Sequence, residues 1–173
     1  MKILKVYLAG KVNGEKYQTI ENLNKDKYIF YSSDGGNHSE HEFGYGRYEF
    51  CACNNDLKQP VMDHFIQEIY NQNILIAYLD SEDSYGSIAE IAYASAIGIK
   101  CYVVLNIDKL KDNTNESFPE FPEAFDTYWF VCSFPNVKTF EARNLEDAKS
   151  IIRDICSDEW ASRYSNSFRF VKE

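Results

Sequence analysis

The sequence predicts an α/β fold built on an open, mainly parallel sheet of four or five strands, with helices on both faces. Short apolar runs of strand length recur along the chain, and stretches with helical periodicity lie between them. The central segment 73–105 reads as strand, loop, helix and strand. Strands that alternate with helices form parallel sheets whose faces those helices cover. Four or five strands fit within 173 residues, and we expect one domain over residues 1–173.

Five apolar runs are the candidate strands. They are Leu4 to Ala9, Tyr28 to Ser32, Ile74 to Leu79, Cys101 to Leu105 and Val137 to Ala142. Gly10 closes the first run and Asp80 closes the third, as turn-forming residues do at strand ends. The polar, glycine-rich stretch 32–50 is not expected to form regular structure, and the polar residues 107–120 are expected to form a loop.

Helices are predicted between these runs. Pro60 fits the first turn of a helix over residues 60–72, and a second helix follows the polar loop that contains Gly86. Asn144 is a good N-cap for a last helix over residues 145–158. The architecture is therefore of the flavodoxin-like or Rossmann-like type, although no GxGxxG fingerprint follows the first strand.

The composition excludes several classes of function. Lys and Arg number 18 and Asp and Glu number 27, so the net charge is 18 − 27 = −9. This balance argues against binding polymeric nucleic acid, whose backbone attracts basic patches. No apolar run approaches the ~20 residues of a membrane span, so no membrane partner is expected. Five cysteines without a secretory signal indicate a reduced, cytoplasmic protein.

Three carboxylates are predicted to lie where a parallel strand ends and a helix begins, which is where open α/β sheets bind ligands. They are Asp80, Asp83 and Glu90. Glu90 also has a purely structural interpretation, because Ser87 and Glu90 match the capping box at a helix start. The grouping of three acids favours function, because acids that face one crevice repel one another and a fold would not place them so without use. Near the helix N-terminus Glu90 is expected to be ionised. An ionised carboxylate beside a protonated carboxyl is the pair that breaks a glycosidic bond.

The segment VYLAG at residues 6–10, followed by DSEDSYGSIAEIAYASAIGIKCYVV at residues 80–104, resembles the nucleoside 2-deoxyribosyltransferase family. Members carry a Tyr or Phe near a Gly after the first strand, then an acidic loop and Gly-[Ser/Thr]-x-x-Glu before a helix of small residues. The corresponding positions here are Tyr7, Gly10, Asp80, Asp83, Gly86, Ser87, Glu90, Tyr93, Ala94 and Gly98. The resemblance covers roughly residues 4–105. Many members have an acid six residues before the Glu, where this chain has Ser84.

The resemblance implies an enzyme that transfers or hydrolyses the N-glycosidic bond of a nucleoside or nucleotide. Glu90 would attack the anomeric carbon of the sugar and hold a covalent glycosyl intermediate. Asp80 or Asp83 would protonate or orient the departing base, and Tyr7 would position Glu90. The substrate-binding residues would include Gly10, Gly86 and Ser87. The resemblance also implies a homo-oligomer and no cofactor.

The glycine-rich segment 34–46 contributes His38 and His41, which we expect to contact substrate if the segment covers the site. With Cys51 and Cys53 these histidines could form a zinc set, but HxxH followed by CxC is not a usual zinc spacing, and we expect no metal. Two alternative functions use the same crevice. One is a non-catalytic sensor of a nucleotide-derived ligand, and the other is a domain that cleaves NAD.

Overall fold

The computed structural model describes residues 2–10, 27–32, 55–81, 84–111 and 128–164. The strands within these ranges are β1 (Leu4–Gly10), β2 (Tyr28–Ser32), β3 (Ile74–Leu79), β4 (Lys100–Asn106) and β5 (Val137–Ala142). The helices are α1 (Asn55–Tyr70), α2 (Tyr85–Ala96), α3 (Ile107–Lys111), α4 (Trp129–Cys132) and α5 (Leu145–Tyr164). All five candidate strands are confirmed, each within one residue of its predicted bounds.

The five strands form one sheet in the order β2-β1-β3-β4-β5, and every neighbouring pair is parallel. This confirms the predicted flavodoxin-like architecture, for which that order is characteristic. The register sets Tyr7 of β1 beside Leu75 of β3, and Gly10 beside Tyr78. Every residue of β3 is buried, as expected of a central strand whose sequence is a continuous apolar run.

Helices cover both faces of the sheet. On one face the strands pack against α5, and the buried strand residues there include Val6, Ile76 and Val104. On the opposite face they pack against α1, α2 and α4, and the buried strand residues there include Tyr7, Leu75 and Val103. The two sets alternate along each strand because successive side chains point to opposite faces. Each face thus contributes its own part of the hydrophobic core.

Two predictions about the helices are wrong. The first helix begins at Asn55, so Pro60 does not start it but lies in its second turn. A proline there removes one backbone donor, and the helix continues through it. The stretch expected to be a loop from residue 107 begins with α3 instead. Oδ1 of Asn106 accepts the backbone amide of Lys109 at 3.0 Å and so caps this short helix.

The helix predicted after Asn144 is confirmed and is longer than expected. Oδ1 of Asn144 accepts the amide of Asp147 at 3.0 Å, which is an N-cap hydrogen bond. The helix continues to Tyr164, and its last turns attach it to the start of β1. The indole of Trp160 and the hydroxyl of Tyr164 donate to the backbone carbonyls of residues 2–3 at 3.1 Å and 2.8 Å, respectively. In the described ranges, none of the helices is long and apolar enough to cross a membrane.

The direction in which strands are added reverses between β1 and β3. The chain passes from β1 to β2 on one side of the sheet, and it places β4 and β5 on the other side of β3. In sheets of this type a crevice opens outside the carboxyl ends of the strands at that point. Gly10 and Asp80 mark the two strand ends that border it.

Candidate functional site

A hydrogen bond joins the middle of β1 to α2, the helix that begins beside this crevice. Tyr7 of β1 is fully buried, and Glu90 of α2 is partly buried. The hydroxyl of Tyr7 donates to Oε1 of Glu90 at 2.7 Å. Because α2 directly follows β3 and packs against β1, two of the predicted site residues come together from distant parts of the sequence.

The position of Glu90 within α2 excludes the capping-box interpretation. The N-cap of the helix is Ser84, whose carbonyl accepts the amide of Ile88 at 3.0 Å. Ser87 therefore lies inside the helix rather than at its cap. Glu90 is six residues past the N-cap, whereas a capping box needs a separation of three. Its carboxylate is bound to β1 and not to the helix end.

Two side-chain hydroxyls donate to one backbone carbonyl close to the start of α2. The hydroxyl of Ser84 donates to the carbonyl of Ser81 at 3.0 Å, and the hydroxyl of Tyr128 donates to the same oxygen. Tyr128 is buried and immediately precedes α4. Ser81 and Ser84 are thereby joined to Tyr128, a residue distant in the sequence, at the start of the helix that carries Glu90.

The protonation state of Glu90 differs from the prediction. Burial raises the pKa of Glu90 to about 7, and the hydrogen bond from Tyr7 opposes this shift only in part. At neutral pH the carboxyl of Glu90 is therefore present in both protonated and ionised forms, and it is not kept fully ionised as the helix N-terminus led us to expect. A carboxyl with a pKa near 7 can gain or lose its proton during a reaction at neutral pH.

Asp80 has a different environment. Its side chain is only 6% exposed, and Oδ2 lies 2.9 Å from Nζ of Lys109 on α3. An opposite charge at this distance favours the ionised form of a carboxylate. An ionised carboxylate accepts hydrogen bonds and cannot donate a proton. Of the two roles predicted for Asp80, the ion pair favours orienting the departing base over protonating it.

Lys109 is the residue that the sequence analysis missed. It lies in a stretch that was expected to be a loop, 29 residues from its partner Asp80. One local signal could have found it. Asn106 ends an apolar strand and is a favoured N-cap residue, so it predicts a helix start at the carboxyl edge of the sheet. Lys109 would then fall in the first turn of that helix, beside the strand that ends at Asp80.

Three of the predicted substrate-binding residues are within the described ranges. They lie at the carboxyl end of β1 and at the start of α2. Gly10 is the last residue of β1 and lies opposite Tyr78. Gly86 is exposed in the first turn of α2, and a side chain added there would meet no atom of the described residues within 4 Å. Ser87 is buried one residue further along. The surface at Gly86 is therefore open, as a ligand-binding edge requires.

Several predicted site residues lie outside the described residues. They are Asp83, His38 and His41, together with the candidate zinc ligands Cys51 and Cys53. In the ranges that the structure does describe, no three His, Cys, Asp or Glu side chains are grouped closely enough to hold a metal ion. The predicted roles of these residues remain predictions.

A separate cavity of about 370 Å³ lies near the start of α5. It is lined by Ile107, Glu141, Arg143, Asp147, Ser150 and Ile151. This lining contains neither Glu90 nor Asp80, and its single arginine donates its backbone amide to Asp147 at 3.3 Å. The cavity is therefore distinct from the carboxylate site at the switch point.

The described residues hold two separate groups, and no hydrogen bond or ion pair among those residues joins them: the carboxyl of Glu90 with its tyrosine, and the carboxylate of Asp80 with its lysine. The first can act as a nucleophile or a proton carrier, and the second can accept a hydrogen bond from a ligand. The fold alone does not select among these reactions. Comparisons of the chain with protein-family models, with curated proteins and with solved structures give no match.

Proposed function

We propose that this protein transfers or hydrolyses the N-glycosidic bond of a nucleoside or nucleotide, with Glu90 as the nucleophile. The observation that carries the proposal is the 2.7 Å hydrogen bond from the hydroxyl of Tyr7 to Oε1 of Glu90. Glu90 belongs to α2, the helix that begins at the edge where sheets of this topology bind ligands. Within the described residues no cation contacts Glu90, and its pKa is raised. Buried titratable groups with shifted pKa values are concentrated at functional sites, so Glu90 is a candidate for such a site.

In the proposed reaction, ionised Glu90 attacks the anomeric carbon of the sugar. The bond from that carbon to the base nitrogen breaks, and the base leaves with the electron pair and takes up a proton. Tyr7 engages Oε1, so Oε2 forms the bond to the sugar. The resulting glycosyl ester is resolved by a second base in transfer and by water in hydrolysis. With Asp80 held by Lys109, Asp83 is the candidate donor of that proton.

The first experiment measures base exchange. The protein is incubated with a panel of 2-deoxynucleosides and a free base, and products are separated by chromatography. Glu90→Ala and Glu90→Gln should lower the rate by at least about a thousandfold, as expected for the loss of a nucleophile. Glu141→Gln is the matched control, because Glu141 is an exposed residue of β5. Undiminished exchange in the Glu90 variants would contradict the assignment.

A trapping experiment separates a nucleophile from a general base. A 2-fluoro-2-deoxyarabinosyl nucleoside slows the breakdown of a glycosyl ester, so the intermediate accumulates. Mass spectrometry of the digested protein should then find the sugar on the peptide that contains Glu90. Release of the base without any adduct would instead indicate that Glu90 activates water directly.

The same assays identify the two alternative functions. A sensor would bind a nucleoside or nucleotide in calorimetry without turnover. A NAD-cleaving domain would release nicotinamide from NAD, and Glu90→Gln would abolish that release. Either result would replace the transferase proposal, although both use the same crevice.

We also propose that the protein is a homo-oligomer in the cytoplasm. Aromatic side chains are exposed on two helices of one face: Trp129 (60%) and Phe130 (61%) of α4, and Tyr85 (75%) of α2. Aromatic residues are enriched at protein interfaces. Light scattering should give a mass above that of one chain, and Trp129→Glu should lower it.

A further inference from the structure

The ion pair between Asp80 and Lys109 is unequal in exposure. The carboxylate is almost fully buried at 6% exposure, whereas the side chain of Lys109 is 57% exposed. The 2.9 Å contact raises the pKa of Lys109, first through its hydrogen bond to Asp80 and then through the charge of Asp80. Lys109 thus reaches inward from the surface to a carboxylate at the edge of the crevice.

A chain of hydrogen bonds fixes the position of Lys109. Its backbone amide donates to Oδ1 of Asn106 at 3.0 Å, and Nδ2 of Asn106 donates to the hydroxyl of Tyr78 at 2.7 Å. Asn106 is only 2% exposed. Tyr78 lies two residues before Asp80, so the chain of contacts begins and ends on β3. The start of α3 is thereby held against the strand end that carries Asp80.

The geometry points to Lys109 as a positioning residue that keeps Asp80 an ionised hydrogen-bond acceptor for a donor group of the ligand. This inference rests on the proposed function and deepens it. An ionised carboxylate has about four lone-pair positions, so it can accept from Lys109 and from a ligand together. Nucleosides offer two kinds of donor, a hydroxyl of the sugar and an exocyclic amino group of the base.

The first test needs no turnover. The carboxyl carbon signal of Asp80 is followed by NMR through an acid titration of the wild type, Lys109→Met and Lys109→Arg. Protonation of Asp80 should begin at a higher pH in Lys109→Met, and Lys109→Arg should resemble the wild type. An identical titration in all three proteins would overturn the inference. The control is Lys138→Met, an exposed lysine of β5 that makes none of the ion pairs among the described residues.

The second test uses three substrates. They are 2-deoxyadenosine, its analogue without the 3-hydroxyl group and its analogue without the amino group of the base. Lys109→Met should raise the KM for 2-deoxyadenosine about tenfold with little change in kcat, as expected when a hydrogen bond to a charged group is weakened. The analogue that lacks the donor for Asp80 should show no such change, and this identifies the donor.

An equal effect of Lys109→Met on all three substrates would show that Lys109 has only a structural role, and would overturn the inference. Asp80→Asn should raise the KM for the same substrates as Lys109→Met does, because the neutral amide is a weaker acceptor than the carboxylate. The amide carries no charge for the lysine to maintain. If the wild type converts none of these nucleosides, the proposed function fails. The NMR titration still decides whether Lys109 controls the charge of Asp80, so the two failures are distinguishable.

Discussion

Two glutamates of this protein accept a tyrosine hydroxyl on opposite faces of the sheet. On the face that packs against α5, Tyr102 donates to Oε1 of Glu159 at 2.5 Å. Glu159 also pairs with Lys100 at 2.8 Å and with Arg163 at 3.3 Å. At the opposite side of the fold, the described partner of Glu90 is a tyrosine alone. The two carboxylates differ in their cations rather than in their hydroxyl donors.

The pKa values of the two groups move in opposite directions. Burial by itself would raise the pKa of Glu159, but hydrogen bonds from Lys100 and Tyr102 and the charges of Lys100 and Arg163 together lower it. Burial raises the pKa of Glu90 to about 7, because Tyr7 alone cannot offset it. The comparison teaches that neighbouring cations decide whether the charged form of a buried carboxylate is stabilised. Glu159 stabilises the fold, whereas Glu90 is kept poised for proton exchange.

The largest expected effect is the loss of Glu159. Glu159→Ala should lower the free energy of unfolding by about 3 kcal/mol, because it removes a charged acceptor and leaves the buried hydroxyl of Tyr102 without a partner at that position. Urea denaturation at neutral pH measures the change. Glu141→Ala, on the exposed surface of β5, should stay within about 0.5 kcal/mol of the wild type. A similar small change for Glu159→Ala would mean that its network contributes nothing to stability.

The second effect is a pH dependence of stability caused by Glu90. Its pKa is about 7 in the folded protein and 4.5 ordinarily, so the folded state binds the extra proton between these values. This contribution to stability is complete below pH 4.5 and is lost as the pH rises through 7. Between about pH 5 and about pH 8 the loss should be about 2 kcal/mol.

Glu90→Gln tests the source of this dependence. The neutral amide imitates the protonated carboxyl, so the variant should lose the dependence and exceed the wild type in stability at alkaline pH. Urea denaturation across the pH range gives both curves. Parallel curves for the two proteins would show that other groups cause the dependence.

The third effect concerns the hydrogen bond to Glu90. That bond lowers the pKa of Glu90, so Tyr7→Phe should raise the pKa further above 7. The variant should also lose about 1 kcal/mol of stability, as expected for a buried hydrogen bond. The carboxyl carbon signal of Glu90 in an NMR titration measures the shift. A pKa that falls would mean that the hydroxyl stabilises the protonated form instead.

The matching change at the other glutamate should have the smallest effect. Tyr102→Phe leaves Glu159 with Lys100 and Arg163, so its pKa should stay below the ordinary value. The loss of stability should be less than about 1 kcal/mol. Denaturation and an NMR titration of Glu159 give both quantities. If this variant shifted the pKa of Glu159 upward as Tyr7→Phe does for Glu90, the cations would not be the deciding difference.

The sequence predicts the sheet well because its signals are local. The strands β3 and β4 are continuous apolar runs, and the acids and glycine that follow β3 mark the start of the next helix. The prediction that Glu90 lies near Tyr7 came from a family resemblance, and the structure places the two side chains in contact. The protonation of Glu90 could not be predicted, since burial is a property of the folded chain. Lys109 was missed because its partner is distant in sequence.

The hydrogen bond between Tyr7 and Glu90 also constrains the order of folding. Its two residues are 83 positions apart, and β1 must pair with β3 before they can meet. The unit from β3 through α2 to β4 has contacts close in sequence and can form with little loss of chain entropy. The contact between Tyr7 and Glu90 is therefore completed only after a non-local step of assembly, so its appearance reports that β1 has joined the unit from β3 to β4.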